Sequence, residues 1–299
     1  MGFNIVEHFV DREPERELFH RMLARKIEER VLLIFDRAEQ GKSCFLLRLE
    51  YECLQKDPAV PVILLDFDQA RSGLTDYMSV AREVRGTLGD ALTPEICGCE
   101  RNILRPGPFV AIRTGGGDVG IDHGQRNRYN DAEFNRNTGR DAINVGDVNV
   151  QPTPEQRVQQ KVEMGRALCN DLAFLGEEHN RIVVLIDTFE QTTEDTRTWL
   201  ERWLFNRLTR ELTHVVVVMT GRPTCRDFFT PIRRWSHLTR RLDNFTPLSD
   251  EDILTHMQNR GIPIGEEESA LLLDLVRGRS PARMAQFGDK LRQERGGQE

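Results

Sequence analysis

Apolar positions along this chain follow two rhythms. Unbroken apolar runs recur at Val31 to Phe35, at 60–68 ("VPVILLDFD"), at 181–190 ("RIVVLIDTFE") and at 214–222 ("HVVVVMTGR"). Short runs rich in Val, Ile and Leu predict strands buried on both faces. Between the runs the apolar spacing lengthens to that of helices. Leu18, Met22, Leu23 and Ile27 share one face of a helix predicted over 13–31, and Phe45, Leu46 and Leu49 one face of a helix opening near Lys42. Residues 75–89 ("TDYMSVAREVRGTLG") and 196–212 ("TRTWLERWLFNRLTREL") predict two more. A longer helix begins at Thr153, with Pro154 in its first turn and Gln156 three residues after the cap, and Val158, Val162, Leu168, Leu172 and Leu175 on its face. From residue 247 the pattern is helical to the end, starting at a Ser249 cap. Strands alternating with helices predict an α/β fold, a parallel sheet covered on both sides, followed by a small helical unit.

One region breaks the rhythm. Between 92 and 152 the chain turns to Gly, Asn and Asp, as in "TGGGDVGIDHGQRNRYNDAEFNRNTGRDAINVGDVNV", which holds seven glycines. The alternation in "DAINVGDVNV" suits short β pieces joined by tight turns, and the composition also suits a disordered loop. We read it as an insertion into the sheet domain.

Composition narrows the function classes. The 299 residues are 38% hydrophobic and 30% charged, with a net charge of -7. That acidic balance argues against nucleic acid as the main partner. The basic run "RRWSHLTRR" at 233–241 reads as a solvated helix surface. No apolar run is long enough for a transmembrane helix, and the N-terminus lacks the basic-then-apolar order of a signal peptide. The six cysteines, at 44, 53, 97, 99, 169 and 225, form no zinc set and read as reduced thiols of a cytoplasmic protein.

The chemistry concentrates at "LLIFDRAEQGKSCFLL", residues 32–47. A phosphate-binding loop joins a buried strand to a helix N-terminus, whose backbone N–H groups and partial positive charge favour an anion. Its lysine reaches the outer phosphates and its Ser or Thr binds Mg²⁺. Gly41, Lys42 and Ser43 stand in that context, but Asp36 and Glu39 occupy positions where such loops carry glycine. A carboxylate beside a triphosphate costs about 1 kcal/mol or more at partly screened contact distance. A Mg²⁺ site also needs a carboxylate at the end of a neighbouring strand. Asp187 closes the third apolar run and reads as metal-linked. Glu190 lies three residues on, either a reacting acid or the solvated start of a helix. Arg222, at the end of the fourth run, is placed to reach a γ-phosphate, or it is a surface arginine at a strand end.

The ordered series resembles the STAND class of P-loop NTPases within the AAA+ group, in forms found in bacterial conflict and antiphage systems. "FVDREPERE" at 9–17 resembles the entry motif, with Asp11 in place of a glycine. "FDRAEQGKS" resembles a degenerate Walker A, "VVLIDTFE" Walker B, and "VMTGR" the sensor strand. "FTPLSDEDI" at 245–253 and "GRSPARM" at 278–284 resemble the helical lid. The resemblance implies a three-layer P-loop NTPase domain over 1–247 and a lid over 248–299. It implies ATP or ADP with Mg²⁺ as cofactors. Val10 and Arg12 would border the adenine; Gly41, Lys42, Ser43 and Cys44 would hold the phosphates; Ser43 and Asp187 would serve the metal. Asp187, Glu190 and Arg222 would act on the γ-phosphate, and Pro281 would close over the base.

Members of the class are switches in which ATP opens a closed, ADP-bound form into an oligomer that activates an effector. The expected partners are a separately encoded effector, further copies of the chain, or both. Thr188 stands where the usual second acid of Walker B would be, which makes slow or absent hydrolysis an alternative. On that reading the chain is a pseudo-NTPase scaffold. A DNA-loading AAA+ protein is a third reading, disfavoured by the acidic charge.

Overall fold

The computed structural model describes residues 12–68, 74, 76–88, 153–229, 233–245 and 248–259, with scattered positions from 262 to 290. Val10, Pro281 and the insertion at 92–152 lie outside them, as do most residues of the two helices expected after 265. The described elements are α1 (Glu13–Leu23), β1 (Val31–Phe35), α2 (Lys42–Leu54), β2 (Val62–Asp66), α3 (Tyr77–Leu88), α4 (Pro154–His179), β3 (Ile182–Asp187), α5 (Glu194–Trp203), β4 (Val215–Gly221), α6 (Arg226–Phe229), β5 (Thr239–Leu242) and α7 (Asp250–Asn259).

The five strands form one sheet in the order β2-β3-β4-β1-β5, and every pairing is parallel. Successive residues of a strand point to opposite faces, so an unbroken apolar run supplies two cores at once. Val31, Leu33, Phe35, Val184, Ile186, Val217 and Met219 pack on one side, under α3, α4 and α5. Leu32, Ile34, Val183, Leu185, Val216 and Val218 pack on the other, with Phe19 and Met22 of α1 and Phe45, Leu46 and Leu49 of α2. The result is a three-layer α/β domain with β1 inside the sheet. Ile253 and Met257 of α7 belong to a separate cluster with Ile262, Leu272 and Met284.

Both predicted caps form. Thr153 accepts the N–H of Gln156 while the Gln156 side chain takes the N–H of Thr153. Ser249 Oγ accepts the N–H of Asp252, whose carboxylate takes the N–H of Ser249 in return.

Three expectations are corrected. The first helix ends at Leu23, not near Val31, because Arg25 adopts a left-handed φ of 56°. The N–H groups of Lys26 and Arg25 turn back to the carbonyls of Arg21 and Met22, a helix-ending motif usually made by glycine. The helix expected over 196–212 ends at Trp203. After Leu204 the chain passes into a short 3₁₀ turn over Phe205–Arg207. Residues 233–241 are not a helix surface. Trp235 and Leu238 are buried, Trp235 stacks on Phe205 at 4.9 Å, and β5 follows at the sheet edge beside β1. An edge strand tolerates the exposed Arg240 and Arg241 that hid it in the sequence.

Candidate functional site

The loop leaves β1 at Phe35 and enters α2 at Gly41, whose φ of 83° is a left-handed turn natural to glycine. No side chain caps α2, and its first turn contains no acid. Its backbone N–H groups therefore face out from a 13-residue helix whose dipole favours an anion. Glu39 lies on the exposed side of the loop and holds a φ of 66°, a conformation that costs a non-glycine residue roughly 1 kcal/mol. The sequence thus retains a glycine-like bend at 39 without the glycine.

Lys42, the first residue of α2, folds over the loop. Its Nζ donates to the carbonyls of Asp36 at 2.9 Å and Arg37 at 2.5 Å. Burial pushes its ammonium below the ordinary lysine range and Arg222 adds to that, while Glu190, Asp36 and Asp187 draw it back up. Ser43 and Cys44 follow it in the first turn, both half-buried. Asp36 is buried, and its carboxylate is divided between the loop and a distant segment. Oδ1 accepts the N–H of Arg37 at 2.6 Å, and Oδ2 accepts the N–H of Phe245 at 2.9 Å. One carboxylate hydrogen bond thus stays within the loop, at Arg37, and the other leaves it, at Phe245.

The strand order brings the other groups alongside. Phe35 pairs with Gly221, and the N–H of Asp36 reaches the Gly221 carbonyl at 3.2 Å, so the end of β4 borders the loop. Asp187 ends β3, one strand further along. It is buried, and its Oδ1 accepts both Thr220 Oγ at 2.5 Å and the N–H of Thr188 at 2.8 Å. Oδ2 takes no hydrogen bond among the described residues. After Asp187 the chain makes a left-handed step at Thr188, φ 54°, into a short 3₁₀ turn. That turn swings Glu190 across to Arg222, whose N–H donates to Oε2 at 3.0 Å and whose Nε lies 3.0 Å from Oε1. Arg197 Nη2 holds the Glu190 carbonyl at 2.9 Å. A Cβ at Gly221 would press on Cys225 Sγ at 3.3 Å but meet Glu190 Oε2 only in ordinary contact, at 3.5 Å.

Lys42, Asp187, Glu190 and Arg222 therefore converge at the carboxyl edge of the sheet, where open α/β sheets bind ligands. Arg12 lies elsewhere: it is buried, with its guanidinium 4.3 Å from the centre of the Phe245 ring. Thr220, Phe245 and Arg197 were given no role from sequence. Thr220 was legible only as the threonine of "VMTGR". Phe245 was legible only as the first residue of "FTPLSDEDI", because its contacts come from residues about two hundred positions away.

These residues fit a Mg²⁺-nucleotide. An uncapped helix N-terminus, an ammonium resting on two backbone carbonyls, a helix-start serine and a carboxylate with one unengaged oxygen are the donor set such a ligand requires. No group of three His, Cys, Asp or Glu that could hold a metal by itself occurs among the described residues. A metal here would depend on phosphate oxygens for most of its ligands. No helix among the described residues is long and apolar enough to cross a membrane.

No protein-family model matches the chain, and no curated protein matches it. Among solved structures it is similar to a Walker-type ATPase of Pyrococcus abyssi, at 16% identity and a TM-score of 0.54, over 94% of this chain and 67% of that one. It is also similar to Cdc6p from Pyrobaculum aerophilum, at 12% identity and a TM-score of 0.42, over 87% of this chain and 53% of that one. At such identities a likeness speaks to fold. The sheet order, the strand-loop-helix unit at 31–54 and the Walker-type neighbour together show a P-loop NTPase fold.

Proposed function

We propose that this chain is an ATP-binding switch of the STAND kind, whose nucleotide state controls self-association or the activation of a separately encoded effector in a defence setting. One observation carries the reading: Lys42, Asp187, Glu190 and Arg222 meet beside the uncapped N-terminus of α2. In this reading α2 and Lys42 bind the phosphates, and Ser43 with Asp187 hold Mg²⁺. The metal, when bound, neutralises charge on the phosphate oxygens. Thr220 orients Asp187 by donating to Oδ1, which leaves Oδ2 as the oxygen that would hold the metal. Arg222 meets the γ-phosphate, and Glu190 is the acid able to accept a proton from an attacking water. A nucleotide shifts the conformation only through unequal affinity for two shapes, and Arg222 is the group able to tell ATP from ADP.

A second reading, a scaffold without turnover, draws on Thr188 and on the engagement of Glu190 by Arg222. Binding and hydrolysis separate the two. Lys42→Ala, titrated with a fluorescent ATP analogue, is expected to bind at least about tenfold more weakly than wild type, the equivalent of about 1.4 kcal/mol. Unchanged binding would overturn the nucleotide reading. Tight binding by wild type with no phosphate release would favour the scaffold.

A further inference from the structure

The buried acid in the loop has a use of its own. Among its contacts, residue 36 joins Lys42 to a distant segment. Its carbonyl accepts Lys42 Nζ, and its carboxylate accepts the N–H of Phe245, which lies on the stretch between β5 and α7. Phe245 is itself fixed on three sides. Asp36 binds its N–H, Phe45 of α2 meets its ring edge-on at 5.4 Å, and the Arg12 guanidinium covers it at 4.3 Å. Asp36 belongs to the loop and Phe45 to its helix, so Phe245 touches both. Four residues after Phe245, Ser249 caps α7, whose apolar side belongs to the separate cluster around Ile253 and Met257.

We infer that Asp36 is a positioning residue that ties the phosphate loop to the segment leading into the helical lid, so that Lys42's choice of partner is passed to α7. This rests on the nucleotide reading above. A lysine ammonium has three donors, and two of Lys42's point at the carbonyls of residues 36 and 37. Outer-phosphate oxygens, as charged acceptors, compete for these donors with an advantage over neutral carbonyls. Releasing the Asp36 carbonyl frees the 36–37 peptide, whose N–H is bound to Asp36 Oδ1, so its movement is carried through the carboxylate to Oδ2 and the N–H of Phe245. Glycine at 36 would leave the loop able to bind phosphate but without a carboxylate to reach Phe245. The departure from the phosphate-loop pattern is thus a connection between lobes and not a mark of decay.

The test is hydrogen exchange over 248–259 in the full chain, with Mg²⁺-ATP and Mg²⁺-ADP, for wild type, Asp36→Gly, Asp36→Asn and Lys42→Ala. Wild type is expected to show a nucleotide-dependent change in protection of α7. Asp36→Gly is expected to keep nucleotide affinity within about threefold of wild type and lose most of that change. Asp36→Asn, whose amide oxygen can still accept the Phe245 N–H, is expected to retain part of it, which a merely structural role would not produce. If Asp36→Gly does not fold, Phe245→Leu serves in its place: it keeps the N–H, removes the ring contacts with Phe45 and Arg12, and is expected to weaken the change. A full nucleotide-linked change in Asp36→Gly or Phe245→Leu overturns the inference, as does nucleotide binding by wild type with no change in α7. Failure of wild type to bind nucleotide, or Lys42→Ala binding as wild type does, overturns the nucleotide reading instead.

Discussion

Glu190 holds Arg222 through both carboxylate oxygens, one on the backbone N–H and one on the guanidinium. Glu190 is mostly shielded and Arg222 is half exposed, so the arginine is the partner able to swing away. An acid with this partner is held in place, and it is freed when Arg222 turns to a phosphate.

That arrangement predicts separable effects on binding and turnover. Glu190→Gln is expected to lower ATP hydrolysis by about a hundredfold or more, the usual loss when a general base is removed. Its ATP affinity should match wild type or exceed it, because Arg222 loses a charged competitor for the phosphate. Phosphate release and equilibrium titration check the two halves. Equal loss of both would show that Glu190 supports binding and is not the base.

A core prediction concerns Gly165, in the middle of α4. Replacing a helical glycine with alanine ordinarily stabilises by up to about 1 kcal/mol. Here a Cβ would fall 2.3 Å from the indole ring of Trp203, a buried residue that also accepts Cys169 Sγ through its carbonyl. Overpacking of this kind costs about 1–3 kcal/mol, so the sign reverses. Gly165→Ala is therefore expected to lower the urea midpoint without a change in m-value.

A third prediction concerns the contact between α1 and α2. Arg16 and Arg48 both donate to Glu52 Oε1, and His20 Nε2 lies 2.9 Å from Oε2. Burial alone would raise the Glu52 carboxyl, but hydrogen bonds from Arg48 and Arg16 outweigh it and hold the group below its ordinary range. A depressed carboxylate contributes stability above its unfolded pKa, and that contribution disappears as pH falls through the folded value. Glu52→Gln is expected to cost roughly 1–3 kcal/mol near pH 7. The gap from wild type should close below about pH 4.5, the ordinary carboxylate value. Denaturant titrations at pH 7 and pH 3.5 measure it. A gap independent of pH would mean that the pairing contributes nothing through charge.

Local pattern was enough for the framework. The apolar runs at 31–35, 62–66, 182–187 and 215–221 could be buried only as strands of a covered sheet, and the capping residues Thr153 and Ser249 announced two helix starts. The loop ending in Gly41-Lys42-Ser43 was legible because a strand, a bend and a helix mouth must be contiguous in the chain. These are properties of neighbouring residues, and hydrophobic spacing and backbone capping report them directly.

What contiguity could not supply was decided by the packed sheet. Arg25 takes a left-handed turn that only the return of the chain to β1 requires. Arg240 and Arg241 occupy a strand because β1 had one edge left to pair, a matter of topology and not of propensity. Most of all, the direction of Asp36 depends on Phe245, 209 positions away, whose N–H takes Oδ2 while the N–H of Arg37 takes Oδ1. A side chain's charge can be read from sequence, but its direction depends on which distant donor folding places within reach.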